Sequence, residues 1–129
     1  MSVLIVESNA ELGGLWMRCL QRLGCEVALC QSQAQAIEHL CTRSVRVIVL
    51  NLLLENGSAL AISDYASFRH PDARIVFVTR SGFFSDGSIF QHAANACAIL
   101  PADTMPEDLA AVVDYHRGII RDHAVHPSR

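Results

Sequence analysis

The feature that most constrains the fold is the stretch 45–51, whose sequence is Val-Arg-Val-Ile-Val-Leu-Asn. Its apolar, largely β-branched residues suit a strand that is buried on both faces at the centre of a parallel sheet. The strand ends at Asn51, a short polar amide. Because ligands of doubly wound α/β folds bind just beyond the carboxyl ends of the strands, Asn51 stands where a functional side chain is expected.

Short apolar runs recur along the chain, and a segment with helically spaced apolar residues follows each of them. Strands and helices that alternate through short connections predict a parallel sheet with helices on both faces. We therefore expect an α/β fold with a doubly wound, five-stranded sheet of order 2-1-3-4-5 and five helices. The predicted strands cover residues 3–6, 26–30, 45–51, 73–79 and 97–100, and the predicted helices cover about 8–23, 32–43, 60–68, 88–95 and 104–120.

Local signals indicate where several of these elements begin and end. Ser8 with Glu11, and Ser32 with Gln35, each have the spacing of a capping box at the start of a helix. Gly24 suits the left-handed position that ends the first helix. The stretch 80–87 holds two glycines and two serines, so we expect a mobile loop there.

Length and charge set limits on the class of protein. The chain has 129 residues, which favours one domain; we place it at residues 1–121, with a flexible tail at 122–129. The net charge is −3 and there is no basic block, so we expect no nucleic-acid partner. No signal peptide or membrane-spanning segment is recognisable, and we expect a cytoplasmic protein without membrane contact. All ten basic residues are arginine, so no mechanism can use a lysine.

The five cysteines are scattered and none has C-x-x-C spacing, which is typical of buried free thiols in a reducing compartment. No glycine-rich phosphate loop, nucleophile elbow or metalloprotease motif is present, so we do not expect an enzyme. The polar residues of interest instead follow the predicted strands. Glu7-Ser8, Asn51, Thr79 and Leu100-Pro101 end the first, third, fourth and fifth strands, which are neighbours at the switch point of the expected sheet.

With these strand ends, the chain resembles the receiver domain of bacterial response regulators over about residues 2–120. The segment Val-Ile-Val-Leu-Asn-Leu-Leu-Leu-Glu-Asn-Gly-Ser-Ala-Leu is similar to the family's run around the phosphoryl-accepting aspartate, and Thr79 and Pro101 also agree. The resemblance implies a flavodoxin-like, CheY-like fold and a role in two-component or phosphorelay signalling. It also implies a pocket with two acids after the first strand, an acceptor aspartate, a hydroxyl residue and a lysine before the proline, which together bind magnesium and accept phosphate.

Position by position, the sequence departs from that pocket. Asn51 occupies the acceptor position, where a neutral amide cannot form an acyl phosphate, and Ser8 replaces one of the two acids. Leu100 occupies the lysine position. The remaining departures are Cys97 at the aromatic switch position, Glu55 in place of the loop proline and Ala59 in place of a usual glycine. We expect a degenerate pocket formed by Glu7, Ser8, Asn51, Thr79, Leu100 and Pro101.

These losses are consistent with one another, because an amide and a serine remove the carboxylate repulsion that magnesium and lysine offset in a working receiver. We do not expect bound Mg²⁺, and Glu7 and Glu55 are only weak candidates for a cation site. Arg80 could reach the emptied pocket and pair with Glu7 or Glu55.

The sequence therefore favours a stand-alone, phosphorylation-independent receiver that acts by protein–protein contact. The family resemblance adds a homodimer through the predicted fourth helix, fifth strand and last helix, within residues 88–100 and 105–120. Two alternatives remain. One is a receiver that is phosphorylated on a surrogate residue such as Ser8 or Ser58, and the other is a thiol-based sensor that uses Cys97 or Cys30.

Overall fold

A computed structural model describes residues 2–80, 93 and 95–125, with side chains described up to residue 116. Within these ranges the chain forms five strands and four helices, in the alternating order that its apolar pattern predicts. The strands are β1 (Ser2–Val6), β2 (Glu26–Cys30), β3 (Val47–Asn51), β4 (Arg74–Thr79) and β5 (Ala96–Pro101), and the helices are α1 (Ala10–Arg22), α2 (Gln33–Thr42), α3 (Ala59–Arg69) and α4 (Pro106–Val125).

The strands form one parallel sheet in the order β2-β1-β3-β4-β5, which confirms the predicted topology. Strand β3 lies at the centre, and every one of its five residues is buried. This position explains its continuous apolar sequence, because a central parallel strand is covered by helices on both faces. A register irregularity between β4 and β5 leaves Cys97 without a paired residue on β4.

Side chains of alternate strand residues build two separate cores, one on each face of the sheet. On one face, Leu4, Ile48 and Phe77 pack with Leu40 of α2 and Ile62 of α3. The opposite core contains α1 and α4 residues, and its largest fully buried side chain is that of Trp16. The two clusters show that helices cover both faces of the sheet. Because all five strands are parallel, their carboxyl ends lie at one edge of the sheet.

Several predicted boundaries are confirmed. Strand β2 has the predicted limits, and Ser32 caps α2 by accepting a 3.2 Å hydrogen bond from the Gln35 backbone N–H. Gly24, with φ of 84°, follows α1 in the left-handed conformation, which glycine adopts without steric cost. These features depend on residues within one or two turns of the chain, so local patterns are sufficient to predict them.

Other boundaries differ from the prediction. The N-cap of α1 is Asn9, whose side chain accepts from the Leu12 backbone N–H at 3.1 Å, and the capping box assigned to Ser8 is wrong. Strand β3 begins at Val47, two residues later than expected. The described residues contain four helices, not five, because the stretch 88–95 falls largely on residues 81–92 and 94, outside the described ranges. Helix α4 also includes residues 122–125, which the sequence pattern assigned to the tail.

Candidate functional site at the carboxyl edge of the sheet

The register of the sheet brings the predicted site residues to one edge. Asn51, the last residue of β3, pairs with Val78, and Thr79, the last residue of β4, pairs with Pro101. Glu7 follows directly on β1, whose last residue Val6 pairs with Leu50. The polar residues at these strand ends are therefore neighbours across the β1, β3, β4 and β5 ends, at the switch point of the fold.

The central contact of this edge joins the side chains of Glu7 and Asn51. Asn51 Nδ2 donates a hydrogen bond of 2.7 Å to Glu7 Oε1, and both side chains are buried, with 2% and 3% of their surface exposed. The second carboxylate oxygen, Oε2, accepts a 2.9 Å hydrogen bond from the backbone N–H of Asn9. Asn51 Oδ1 accepts one of 2.8 Å from the backbone N–H of Leu53. Each of the four polar side-chain atoms of Glu7 and Asn51 thus takes part in a hydrogen bond.

This arrangement compensates one buried negative charge without a second charged side chain. A buried carboxylate is costly unless donors surround it, and here an amide N–H and a backbone N–H approach its two oxygens. The backbone donor is Asn9, the N-cap of α1, so Glu7 also lies at the positive end of a helix dipole. The Asn51 amide nitrogen therefore contacts the carboxylate in the way that a cation would.

Ser8 connects three loops at the same edge. Its Oγ accepts a 2.9 Å hydrogen bond from the backbone N–H of Glu55, which lies in the loop after β3. Its carbonyl oxygen accepts a bond of 3.3 Å from Gln31 Nε2, in the loop after β2. The competing contact with Glu55 explains why this serine does not cap α1.

Gln33, the first residue of α2, holds the far side of the loop that contains Glu55. Its backbone N–H donates to the Asn56 carbonyl oxygen at 3.0 Å, and its Oε1 accepts from the Ser58 backbone N–H at 2.8 Å. Between these two contacts lies Gly57, with φ of 128°, against the Gln33 side chain. The loops after β1, β2 and β3 are consequently linked by hydrogen bonds into one layer above the sheet.

The remaining residues predicted for the pocket are Thr79, Leu100 and Pro101, and none of them carries a charge. Thr79 is buried, and its carbonyl oxygen accepts a 2.9 Å hydrogen bond from the backbone N–H of Ala102. Leu100 is half-buried and packs against the core of the α1 and α4 face. Pro101 is exposed. The exposed Arg80 follows Thr79, and the Glu7 oxygens that it could have reached accept from Asn51 and Asn9.

Among the described buried side chains at this edge, Glu7 is the one that carries a carboxylate. Hard cations such as Mg²⁺ need several oxygen ligands, usually with more than one carboxylate. Here both Glu7 oxygens accept hydrogen bonds, and the Asn51 oxygen accepts from the backbone of Leu53. Across residues 2–80, 93 and 95–116, no group of three or more His, Cys, Asp or Glu side chains has an arrangement that could hold a metal ion.

The two cysteines considered for a thiol sensor are poorly suited to ionise. Burial raises the pKa of the Cys97 thiol from 9.0 to about 11, although Arg74 acts in the opposite direction. Burial also raises the pKa of Cys30, and the nearby Glu38 adds to this effect. Because the thiolate is the reactive form, both side chains are expected to behave as small core hydrophobes.

Comparisons with known proteins identify the fold. No protein-family model matches the chain, and no curated protein sequence matches it significantly. Solved structures do match. A response regulator from Burkholderia pseudomallei, solved with a phosphorylated aspartic acid and calcium, has a TM-score of 0.75 and 22% identity, over 99% of this chain and 75% of that one. A CheY-like receiver domain from Methanospirillum hungatei has a TM-score of 0.80 and 16% identity, over 88% and 90% of the two chains.

A third match is the N-terminal domain of a response regulator, sensory box and GGDEF protein from Carboxydothermus hydrogenoformans. Its TM-score is 0.81 at 14% identity, over 96% of this chain and 99% of that domain. The fold is therefore the flavodoxin-like, CheY-like fold of response regulator receiver domains. In the described part of the chain, no helix combines the length and the apolar character that crossing a bilayer requires.

Sequence reasoning placed the strand-end residues at the correct edge but missed the contacts between the loops. The hydrogen bonds of Gln33 to Asn56 and Ser58 join residues more than twenty positions apart, and no local pattern indicates them. One signal was available, because Gly57 in an Asn-Gly-Ser turn often marks a backbone conformation that excludes a side chain.

Proposed function

We propose that this protein is a phosphorylation-independent receiver domain that acts in two-component or phosphorelay signalling through protein–protein contact, without enzymatic activity. The observation that carries the proposal is the buried hydrogen bond of 2.7 Å between Asn51 Nδ2 and Glu7 Oε1. It lies at the edge of the sheet where this fold binds ligands, and it satisfies the one buried carboxylate there with a neutral donor.

Three chemical requirements of acyl-phosphate formation are unmet at this edge. The nucleophile must be a carboxylate, and position 51 carries an amide. Developing negative charge must be met by a hard cation, and the oxygen atoms of Glu7 and Asn51 are already in hydrogen bonds. A nearby fixed cation is also needed, and Leu100 takes the place that lysine has in the receivers the chain resembles.

The surrogate acceptors of the alternative hypothesis have structural roles. The Ser8 hydroxyl oxygen accepts from the Glu55 backbone N–H at 2.9 Å. The Ser58 hydroxyl oxygen caps α3 by accepting from the Ala61 backbone N–H at 3.2 Å. Neither serine has a described basic group beside it to remove its proton, so we propose that neither is phosphorylated.

The direct test is incubation of the full chain with acetyl phosphate and MgCl₂, followed by intact-mass measurement. We expect no phosphoryl adduct on the natural sequence. A stoichiometric adduct that is lost on hydroxylamine treatment would mean that an acyl phosphate forms, and the proposal would then be wrong.

A restored variant provides the positive control. Ser8→Asp, Asn51→Asp and Leu100→Lys together supply the second acid, the nucleophile and the cation that the pocket lacks. We expect this variant to gain Mg²⁺-dependent stabilisation and a phosphoryl adduct at position 51. The matched single variant Leu100→Lys should gain neither, because it lacks the carboxylates. If the restored variant folds and still accepts no phosphate, the fold and not the pocket chemistry would be the reason for the inactivity.

For the contact surface we propose the side of the sheet formed by β5 and α4, through which receivers often pair. Strand β5 is one of the two edge strands of the sheet. In α4, the side chain of Tyr115 is 64% exposed, and its ring lies 5.3 Å from the His116 ring in an edge-to-face arrangement. Met105, just before α4, is 60% exposed. The predicted helix at 88–95, which would complete this face, lies outside the described residues. Replacing Tyr115 by Ala should weaken a symmetric dimer, measured by analytical ultracentrifugation.

A further inference from the structure

The described surface charges separate to the two opposite ends of the strands. Seven arginines have described side chains, and five of these lie at the amino edge of the sheet; all five are exposed. The amino pole is the group Arg22, Arg43, Arg46, Arg69 and Arg74. The carboxyl pole is the group of exposed acids Glu11, Glu55, Asp103, Glu107 and Asp108.

The register fixes the position of the amino pole. The Arg46 backbone N–H donates to the Ser2 carbonyl oxygen at 2.9 Å, and the Arg74 backbone N–H donates to the Arg46 carbonyl oxygen at 2.9 Å. These two arginines therefore stand side by side where β3 and β4 begin. Arg43 follows α2 and lies close enough to His39 to lower its pKa. Among the described residues, the exposed acids at this edge are only Glu26 and Asp72.

The carboxyl pole lies at least one strand length away, about 16 Å for five residues. Among the described residues, two exposed arginines lie beside these acids: Arg80 follows β4, and Arg18 lines one surface cavity together with Glu11. Among the described exposed side chains, five arginines against two acids give the amino pole a charge of +3, and five acids against Arg18 and Arg80 give the carboxyl pole −3. The two ends of the molecule thus present opposite charge of similar size.

Helix dipoles explain only part of this separation. Acids at the first turn of a helix and bases at the last turn or C-cap are favourable, which accounts for Glu11, Glu107 and Asp108, and for Arg22, Arg43 and Arg69. The same effect does not account for the others. Arg46 and Arg74 precede or begin strands, and Glu55 and Asp103 lie in loops outside the helices.

We propose that the amino pole of one copy of this chain docks on the carboxyl pole of a second copy, so that the protein associates head to tail. The two copies recognise each other by charge complementarity, because the positive amino pole of one copy meets the negative carboxyl pole of the other. Both poles belong to the same chain, so no other partner is needed. Such a contact joins different surfaces and does not close on itself, so it extends into open chains of copies. It is separate from the symmetric pairing proposed for β5 and α4, and it does not depend on the chemistry at position 51.

The contact consists of exposed charges, so the association is weak and sensitive to salt. The screening length falls from about 30 Å at 0.01 M salt to about 3 Å at 1 M. All mass measurements use the full chain with Tyr115→Ala, so that the symmetric pairing proposed for β5 and α4 does not contribute. Its weight-average mass should rise at least about twofold with protein concentration at 0.01 M salt and return to that of the monomer at 1 M salt. Analytical ultracentrifugation measures both.

Neutralising one pole at a time distinguishes head-to-tail association from association through any other surface. Arg43→Gln with Arg46→Gln removes charge from the amino pole, and Glu55→Gln with Asp103→Asn removes it from the carboxyl pole. Each double variant alone should remain monomeric at low salt. In an equal mixture, one variant still has its native carboxyl pole and the other still has its native amino pole. These two poles can pair once, so the mixture should form a species of two copies that grows no further.

Asp64→Asn is the matched control, because Asp64 is exposed in the middle of α3 and belongs to neither pole. This variant should associate as the unsubstituted protein does. The proposal is overturned if the Tyr115→Ala protein stays monomeric at 0.01 M salt, if its association stops at two copies and ignores the pole variants, or if the mixture of double variants remains monomeric. Circular dichroism of each variant excludes loss of folding as the cause.

Discussion

The Asn51 amide nitrogen donates a 2.7 Å hydrogen bond to Glu7 Oε1 in a place where both side chains are almost fully buried. This contact ties the ends of two neighbouring strands, β1 and β3. Its two partners also accept from the backbone N–H groups of Asn9 and Leu53. The pair therefore helps to hold this edge together, and substitutions in it should change the free energy of unfolding.

The first prediction is that one carboxylate is tolerated here and two are not. Asn51→Asp places a second buried acid against Glu7, and two charges about 4 Å apart repel by about 4 kcal/mol at an effective dielectric of 20. We expect a loss of about 2–4 kcal/mol in the free energy of unfolding at neutral pH. Urea titration followed by the fluorescence of Trp16, the single tryptophan and a fully buried one, measures it.

The matched control exchanges the two groups. In Glu7→Gln with Asn51→Asp, position 7 can donate to position 51, and both can still accept from the backbone N–H groups of Asn9 and Leu53. The double variant should lie within about 1 kcal/mol of the natural sequence, so the coupling between the two sites is large. If the exchange is as damaging as Asn51→Asp alone, the hydrogen bond does not hold this edge together.

A second prediction concerns two glycines in opposite environments. At Gly57, φ is 128° and an added Cβ would overlap Gln33 Cβ, so Gly57→Ala should cost about 3 kcal/mol and loosen the loop after β3. At Gly14, inside α1, an added Cβ meets no atom within 4 Å. Gly14→Ala should stabilise the fold by about 0.5–1 kcal/mol, because alanine is the better helix former. Equal effects in thermal denaturation would contradict this account of the loop.

How far the sequence alone could predict this molecule depends on the range of each interaction. The strand order and the Ser32 cap follow from local patterns and from the rules of α/β topology, and both are confirmed. Ser8 has an equally good local pattern for capping α1, but its hydroxyl bonds to the distant Glu55 and Asn9 caps the helix instead. Sequence reasoning placed Asn51 and Glu7 at one edge, while their direct contact depends on side-chain directions that only the assembled sheet determines.

The third prediction is that the cysteines react with thiol reagents at different rates, and that the more buried ones react more slowly. With its pKa raised from 9.0 to about 11, Cys97 should hold about 100-fold less thiolate at pH 8 than an unperturbed thiol, whereas Cys41 is exposed. Native-state labelling with a thiol reagent should modify Cys41 first and the partly exposed Cys97 much more slowly. Cys41→Ser should remove the fast phase, and Cys97→Ser should leave it unchanged. Fast labelling of Cys97 in the folded protein would instead favour the thiol-sensor hypothesis.

The fourth prediction concerns two histidines whose pKa values are lowered by different arginines. Burial, then Arg43 and His70, lower the pKa of His39 below 6.5, and burial, then Arg74, lower that of His116. A lowered pKa in the folded state means that the unfolded chain binds more protons, so this contribution is complete above pH 6.5 and is lost as the pH falls below it. We expect the free energy of unfolding to decline from pH 7 towards pH 5, and His39→Gln and His116→Gln should each reduce the slope.

Nuclear magnetic resonance titration of the histidine Cε1 protons distinguishes the two sources. Arg43→Gln should raise the pKa of His39 and leave His116 unchanged, while Arg74→Gln should raise that of His116 and leave His39 unchanged. Neither substitution should bring the pKa fully back to its ordinary value, because burial is the larger cause in both cases. If each arginine variant moves both histidines equally, the shifts come from the overall charge of the amino pole and not from the neighbouring guanidinium groups.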